Sequence, residues 1–240
     1  MITKIIATSW VLLLMQGMAM AENPRLLWRI DTRTPNQIFN SGFASWGNND
    51  NVRDHISGAS CVELPQAERD TAFISVSADR NWIEQVAAER AMLTPSVAIY
   101  IYQIRADSNF YNGERSLQYY ANEHPDELIP LLAYSPSRES NEYLSYLEIN
   151  SQNIVSAAGL VYHQGAIIEL PEERNPHYRP LDTQASEEPY VGGQHQPHRS
   201  RFTWVYAIPF IGSCFRPRTD LSVKDLDKLQ DYQLEALLAE

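Results

Sequence analysis

The sequence predicts an α+β domain, and three observations carry that reading. Strand-like runs rich in β-branched and aromatic residues recur along the chain, with Val97 to Ile104 the strongest. Between two of them lies one clear helical pattern, in which Ile83, Val86, Ala87 and Arg90 share a face. Strands and helices do not alternate strictly, which argues against a βαβ array.

The elements follow in chain order. Leu26 to Asp31 reads as a strand. Pro35 to Asn40 reads as a helix, with proline in its first turn and Gly42 just beyond its end. Thr71 to Val76 is a strand, and Ala78-Asp79-Arg80 opens a helix reaching about Leu93. After Val97–Ile104, further strands are expected near Tyr143 and over Ile154 to Tyr162. From Pro171 to Ser200 five prolines and Gly192-Gly193 predict a long irregular segment, which loops of that length reserve for function. Phe202 to Ile211 then reads as a buried strand, because Thr203 and Pro209 interrupt it and it is too short to span a membrane. Ser222 to Glu240 carries an apolar side of Val223, Leu226, Leu229, Leu234, Leu237 and Leu238. Such a helix either docks on its own domain or inserts into a partner. Its place after Pro217 favours the partner.

Lys4, the apolar Ile5 to Met15 and Ala19-Met20-Ala21 have the layout of a secretory signal, giving residues 1–21 as leader and about 219 mature residues. Without Lys4, 18 basic residues face 30 acidic ones, a net charge of −12. So acidic a chain is a poor candidate for nucleic acid or anionic membrane, which need dense Lys/Arg patches. One core is expected. The two cysteines, Cys61 and Cys214, are expected to pair in an exported protein, as a staple or as a redox-sensitive tie. Closing so long a loop is worth roughly 5 kcal/mol at most. No CxxC or HExxH pattern accompanies them, so no metal is expected.

The chemistry is concentrated in Trp28-Arg29-Ile30-Asp31-Thr32-Arg33, in Gly42 to Val52, and in His55. An arginine on a rigid strand offers directed donors suited to a dinucleotide's phosphates, and a histidine can orient a ribose or take a proton near neutral pH. A surface ion pair for Arg29 and a structural role at a turn for His55 are the competing readings. The wording of this block resembles the opening of the pertussis toxin catalytic subunit and its relatives, a mono-ADP-ribosyltransferase family. The resemblance runs from about Leu27 to Cys214. It is densest at Arg29 to Cys61, Ala72-Phe73-Ile74-Ser75-Val76-Ser77 and Tyr100 to Tyr111, with Glu142-Tyr143-Leu144 and Val161-Tyr162-His163 beyond.

That resemblance implies a split, mixed-sheet core with flanking helices, NAD as substrate in the cleft, and residues 22–215 as the catalytic domain. It implies that Arg29 orients NAD, with Asp31 and Arg33 shaping the adenosine side. Ser75 opens a Ser-Val-Ser strand where the family has Ser-Thr-Ser, and is expected to brace the catalytic carboxylate. Glu142 is that carboxylate: beside the ribose it would stabilise the positive charge that grows as the nicotinamide bond breaks. His55 matches the family's histidine on the acceptor side. Trp46 is expected either to support the core under His55 or to touch NAD, and Trp82 and Tyr111 to flank the ring. Ser140 departs from relatives that carry Glu or Gln two residues before the glutamate; its hydroxyl argues against an arginine acceptor and leaves cysteine, asparagine and lysine open. By resemblance the target is the α subunit of a heterotrimeric G protein, and residues 216–240 seat the chain on a pentamer of carbohydrate-binding subunits. Residues 171–213 would cover the cleft until the cysteine bridge is reduced. An NAD glycohydrolase and an inactive binding scaffold are the rival readings.

Overall fold

A computed structural model describes residues 23–60, 69–125, 138 and 140–192. Its strands and helices are β1 (Leu26–Asp31), α1 (Pro35–Ser41), β2 (Phe43–Ala44), α2 (Val52–Ile56), β3 (Phe73–Ser77), α3 (Arg80–Leu93), β4 (Ile99–Arg105), β5 (Phe110–Asn112), α4 (Gly113–Glu123), β6 (Glu142–Tyr146), β7 (Glu148–Ile149), β8 (Ile154–His163) and β9 (Ala166–Arg174). Seven strands form one sheet in the order β5-β6-β3-β1-β4-β8-β9, and β2 with β7 forms a second, smaller one. Their ladders are antiparallel, while Asn49 and Thr71 make an isolated parallel bridge. The α+β class and the split core are as the sequence and the resemblance imply.

Period-two alternation puts successive residues of the central strands on opposite faces. Leu27, Tyr102 and Ile104 pack with Ile38 and Phe39 of α1 and with Phe43. Ile30 and Ile99 pack instead against Ile83, Val86 and Ala87 of α3, the face its spacing predicts. A third cluster joins Val52 and Ile56 of α2 to Phe73, Leu117 and Leu144. Asp79 caps α3 by accepting from the Trp82 amide at 3.0 Å.

Strand ends differ from the sequence reading for local reasons. Residue Thr71 is drawn into the bridge with Asn49, so β3 begins at Phe73. Ser96 adopts φ +69° and the Val97 amide closes a turn onto Thr94, so β4 begins at Ile99. The irregular segment starts at Asn175 rather than Pro171, because β9 runs to Arg174. Pro171 is tolerated there because β9 is an edge strand and its register against β8 shifts between Ala157 and Gly159. Helices α2 and α4 carry too few periodic apolar residues to be read from the sequence.

Asn175 to Gly192 has no strand or helix yet is tied down along its length. Asn175 Nδ2 donates to the carbonyls of Ser151 and Ile154 at 2.7 and 2.8 Å, and the amides of Ala185 and Ser186 donate to the carbonyls of Pro24 and Phe110. The strap ends with the Tyr190 ring edge-on to Phe73, 4.9 Å between centroids. Residues 1–21, Cys61, Cys214, the Phe202–Ile211 strand and the 222–240 helix lie outside the described residues.

Gly42 ends α1 at φ +69° and ψ −160°, and a Cβ there would stand 2.2 Å from the Ile149 carbonyl oxygen. That backbone region belongs to glycine. Gly42→Ala is expected to lower unfolding stability by about 2 kcal/mol or more in denaturant titration; a change within 0.5 kcal/mol of zero, the range of an ordinary surface substitution, would contradict this.

Candidate active site

The site is assembled where β1 and β3 part. They meet at one registered pair, Trp28 with Ser77, and then diverge. Arg29 follows Trp28 and bridges the gap, its Nη1 donating to the Ser75 carbonyl at 2.5 Å. The side chain is 5 % exposed, and its Nε has no hydrogen-bond partner among the described residues. A buried donor left unmatched costs about 1–3 kcal/mol. Such a cost is what a ligand-binding group carries until its ligand arrives.

Asp31 ends β1 two residues further on, and Arg33 follows just beyond the strand. Asp31 is fully buried and accepts from Arg33 three times: the backbone amide at 2.9 Å, Nε at 3.0 Å and Nη2 at 2.7 Å. Burial raises the Asp31 pKa, but the Arg33 hydrogen bonds and the Arg29 charge outweigh it and hold the carboxyl below its usual range. Burial drives Arg29 down to about 10, opposed by Asp31 and Glu142, so it stays cationic at neutral pH. The Phe43 ring is approached by both guanidinium groups, at 5.5 Å from Arg29 and 5.2 Å from Arg33. These residues, with Ser45, Trp46 and Ile74, line a cavity of about 170 Å³.

Glu142 begins β6 directly opposite Ser77 and is 1 % exposed. Asn141 before it takes φ +44°, a left-handed value that asparagine tolerates, and turns the chain into the strand. Ser77 secures this corner: its hydroxyl donates to the Ser140 carbonyl at 2.5 Å, and the Asn141 carbonyl accepts from the Ala78 amide. Glu142 is close enough to Arg29 to raise its pKa, so the two groups share one electrostatic environment.

His55 is fully buried and belongs to α2, not to a turn. The Asn-Asn-Asp-Asn run explains its placement. Asn49 bridges to Thr71 and accepts from the Asn51 amide at 2.9 Å; Asn51 then caps α2 by accepting from the Asp54 amide at 3.0 Å. His55 Nδ1 meets the Thr71 hydroxyl at 2.7 Å and Nε2 meets the Ser75 hydroxyl at 2.9 Å. Burial, then the Arg29 charge, pulls the imidazole down to about 3. It is neutral at physiological pH, and Glu142 Oε1 at 3.9 Å from Nε2 is its neighbour rather than an ion-pair partner.

Ser75 thus gives one strand residue two duties: its carbonyl ties Arg29 and its hydroxyl ties His55. Thr71 is the functional neighbour that sequence reasoning missed, although Thr71, Phe73, Ser75 and Ser77 fall two apart and share a face. Trp46 is half-buried and lines the cavity with Arg29, Asp31 and Arg33. Trp82 stands apart, packed on α3 with Ile30 and Ile83. Tyr111 lies on β5 against Tyr190, 5.3 Å between ring centroids, and neither ring lines this cavity. Among the described residues no group of His, Cys, Asp or Glu is placed to hold a metal ion.

Known proteins match this chain in sequence and in fold. The solved structure of EcPltA superposes with a TM-score of 0.61 at 27% identity, covering 71% of this chain and 96% of that one. The ADP-ribosylating toxin CARDS of Mycoplasma pneumoniae is 28% identical over 201 residues, 70% of this chain and 33% of its own length. Fold and relatives define an NAD-dependent mono-ADP-ribosyltransferase, with NAD as its substrate. Residues 22–224 match the family model of pertussis toxin, subunit 1, and pertussis toxin subunit 1 of Bordetella pertussis is 34% identical over 211 residues, 83% of this chain and 77% of that one. The chain belongs to the pertussis toxin subunit 1 family.

The His55 shift has a definite sign. The folded pKa near 3 lies below the ordinary 6.5, so the unfolded chain binds the proton first. Stability is therefore complete above pH 6.5 and is lost as pH falls toward 3. Between pH 6 and 5 this one group is expected to contribute a slope of about 1.4 kcal/mol per pH unit in urea unfolding, absent in His55→Gln. Equal slopes in the two proteins would contradict a buried neutral imidazole.

Proposed function

We propose that this chain is the enzymatic subunit of a pertussis-like toxin and transfers ADP-ribose from NAD to a host protein through Arg29, Glu142 and the His55–Ser75 pair. The observation that carries the assignment is the buried Arg29: its Nε lacks a partner among the described residues, it borders a cavity, and it lies within electrostatic reach of a buried glutamate. Arg29 holds the dinucleotide on its phosphate side. Asp31 and Arg33, locked to each other, form the wall beside it. Glu142 faces the ribose.

The reaction breaks the bond between the ribose anomeric carbon and the nicotinamide nitrogen. The electron pair leaves with nicotinamide, and a target side chain forms the new bond at that carbon and gives up its proton. Glu142 answers the positive charge that grows on the ribose and accepts from a ribose hydroxyl. Because its ring nitrogens already meet Thr71 and Ser75, His55 holds the floor of the site in place rather than taking the acceptor's proton. Trp46 serves as an NAD-facing wall.

A G-protein α subunit is the proposed target, with a side chain other than arginine as acceptor, because Ser140 is buried and brings no charge or amide. Residues 1–21 export the chain and residues 216–240 seat it on a carbohydrate-binding pentamer. A pairing of Cys61 with Cys214 holds residues near the cleft until it is reduced.

Incubation with labelled NAD and mammalian membranes is expected to label a host protein at a non-arginine residue. Glu142→Ala should lower nicotinamide release by about 10²–10³. Release without any labelled protein would replace transfer by hydrolysis; undiminished release in Glu142→Ala would overturn the site.

A further inference from the structure

From the hydrogen bonds of one buried threonine we infer that Thr71 is a positioning residue for the reaction: its hydroxyl fixes His55 in the tautomer that carries its hydrogen on Nε2, the nitrogen nearest Glu142. The inference rests on the proposal that Glu142 acts on the NAD ribose. Thr71 is 1 % exposed and His55 is fully buried. The Thr71 oxygen accepts from the Phe73 amide at 3.2 Å and meets His55 Nδ1 at 2.7 Å.

The direction of the second bond follows from the hydrogens available. A threonine hydroxyl has one hydrogen to donate and two lone pairs. The Phe73 amide occupies a lone pair, and among the described residues His55 Nδ1 is the acceptor within reach of the hydroxyl hydrogen. Were Nδ1 itself protonated, that hydrogen would be buried without a partner, which costs more than the bond is worth. Nδ1 therefore accepts. The ring is neutral at physiological pH, because burial and then the Arg29 charge pull it down to about 3. Its one hydrogen accordingly sits on Nε2.

That hydrogen meets two groups of the site. Ser75 Oγ, 2.9 Å from Nε2, accepts it and turns its own hydrogen away from the ring. Glu142 Oε1 lies 3.9 Å from the same nitrogen. The carboxylate thus sees the positive N–H edge of the imidazole, whereas the other tautomer would set a lone pair against it. The Thr71 backbone is held separately, by the bridge to Asn49 and by the Gly47 amide donating to its carbonyl at 3.0 Å. Its hydroxyl can therefore be exchanged without releasing the strand.

The test joins nitrogen NMR of ¹⁵N-histidine-labelled protein near neutral pH to steady-state NAD hydrolysis without acceptor, with His55→Gln identifying the His55 signals. Wild type is expected to show one neutral His55 tautomer, protonated at Nε2. Thr71→Val should bring in the Nδ1-protonated form and lower kcat about tenfold, with KM for NAD changed less than about twofold. Thr71→Ser, which keeps the hydroxyl, should restore both the wild-type tautomer and most of kcat. A wild-type His55 protonated at Nδ1, or a Thr71→Val variant that keeps its tautomer and kcat or changes KM alone, would overturn the inference. A wild type that shows the Nε2 tautomer yet neither binds nor cleaves NAD would instead sink the broader proposal, and the catalytic role of Thr71 with it.

Discussion

The structure turns on one guanidinium lodged between two strands that have stopped pairing. Once β1 and β3 separate after Trp28 and Ser77, the carbonyl of Ser75 accepts from the Arg29 side chain. A sheet that opens inside its own core would ordinarily strand buried polar groups, each costing about 1–3 kcal/mol. Arg29 satisfies the carbonyl and keeps the gap open, and the gap is the site. A lysine has too few donors in too loose an arrangement to do both.

The rest of the site is arranged around that cation. Asp31 and Glu142 both favour its charged form, which keeps Arg29 protonated although burial works against it. Burial, helped by the same charge, keeps His55 neutral. Neutral His55 can then bridge Thr71 and Ser75, joining α2 to β3 and fixing the floor on which Glu142 stands. From the far side, Tyr190 at the end of the strap packs on Phe73 and reaches the Asp50 carboxylate at 3.2 Å. The long irregular segment is therefore bound into the fold as far as it is described.

Where local rules act alone, the sequence was informative. Proline in the first turn and Gly42 past the end defined α1; Asp79 and the spacing of Ile83, Val86 and Ala87 defined α3; β-branched and aromatic residues defined β4 and β8. What could not be read was set by partners distant in the chain. The α2 helix is five residues long and exists because Asn51 caps it and Phe73 and Leu117 cover it. Pro171 signals a loop, but the edge position of β9 removes its penalty. In the site, Arg29, Asp31, Arg33 and Trp46 were legible and share the cavity. Thr71 was not, because a threonine is a histidine's partner only once α2 has folded over β3.

The central claim is that Arg29 binds and Glu142 reacts, from β1 and β6 on either side of β3. The direct measurement is NAD affinity by calorimetry beside the single-turnover rate of nicotinamide release, for Arg29→Lys and Glu142→Gln. The account predicts that Arg29→Lys weakens binding about tenfold or more, whereas Glu142→Gln binds NAD nearly as wild type and releases nicotinamide about 10² times more slowly. If Glu142→Gln loses affinity and keeps its rate, or Arg29→Lys binds as wild type, the division of labour described here is wrong.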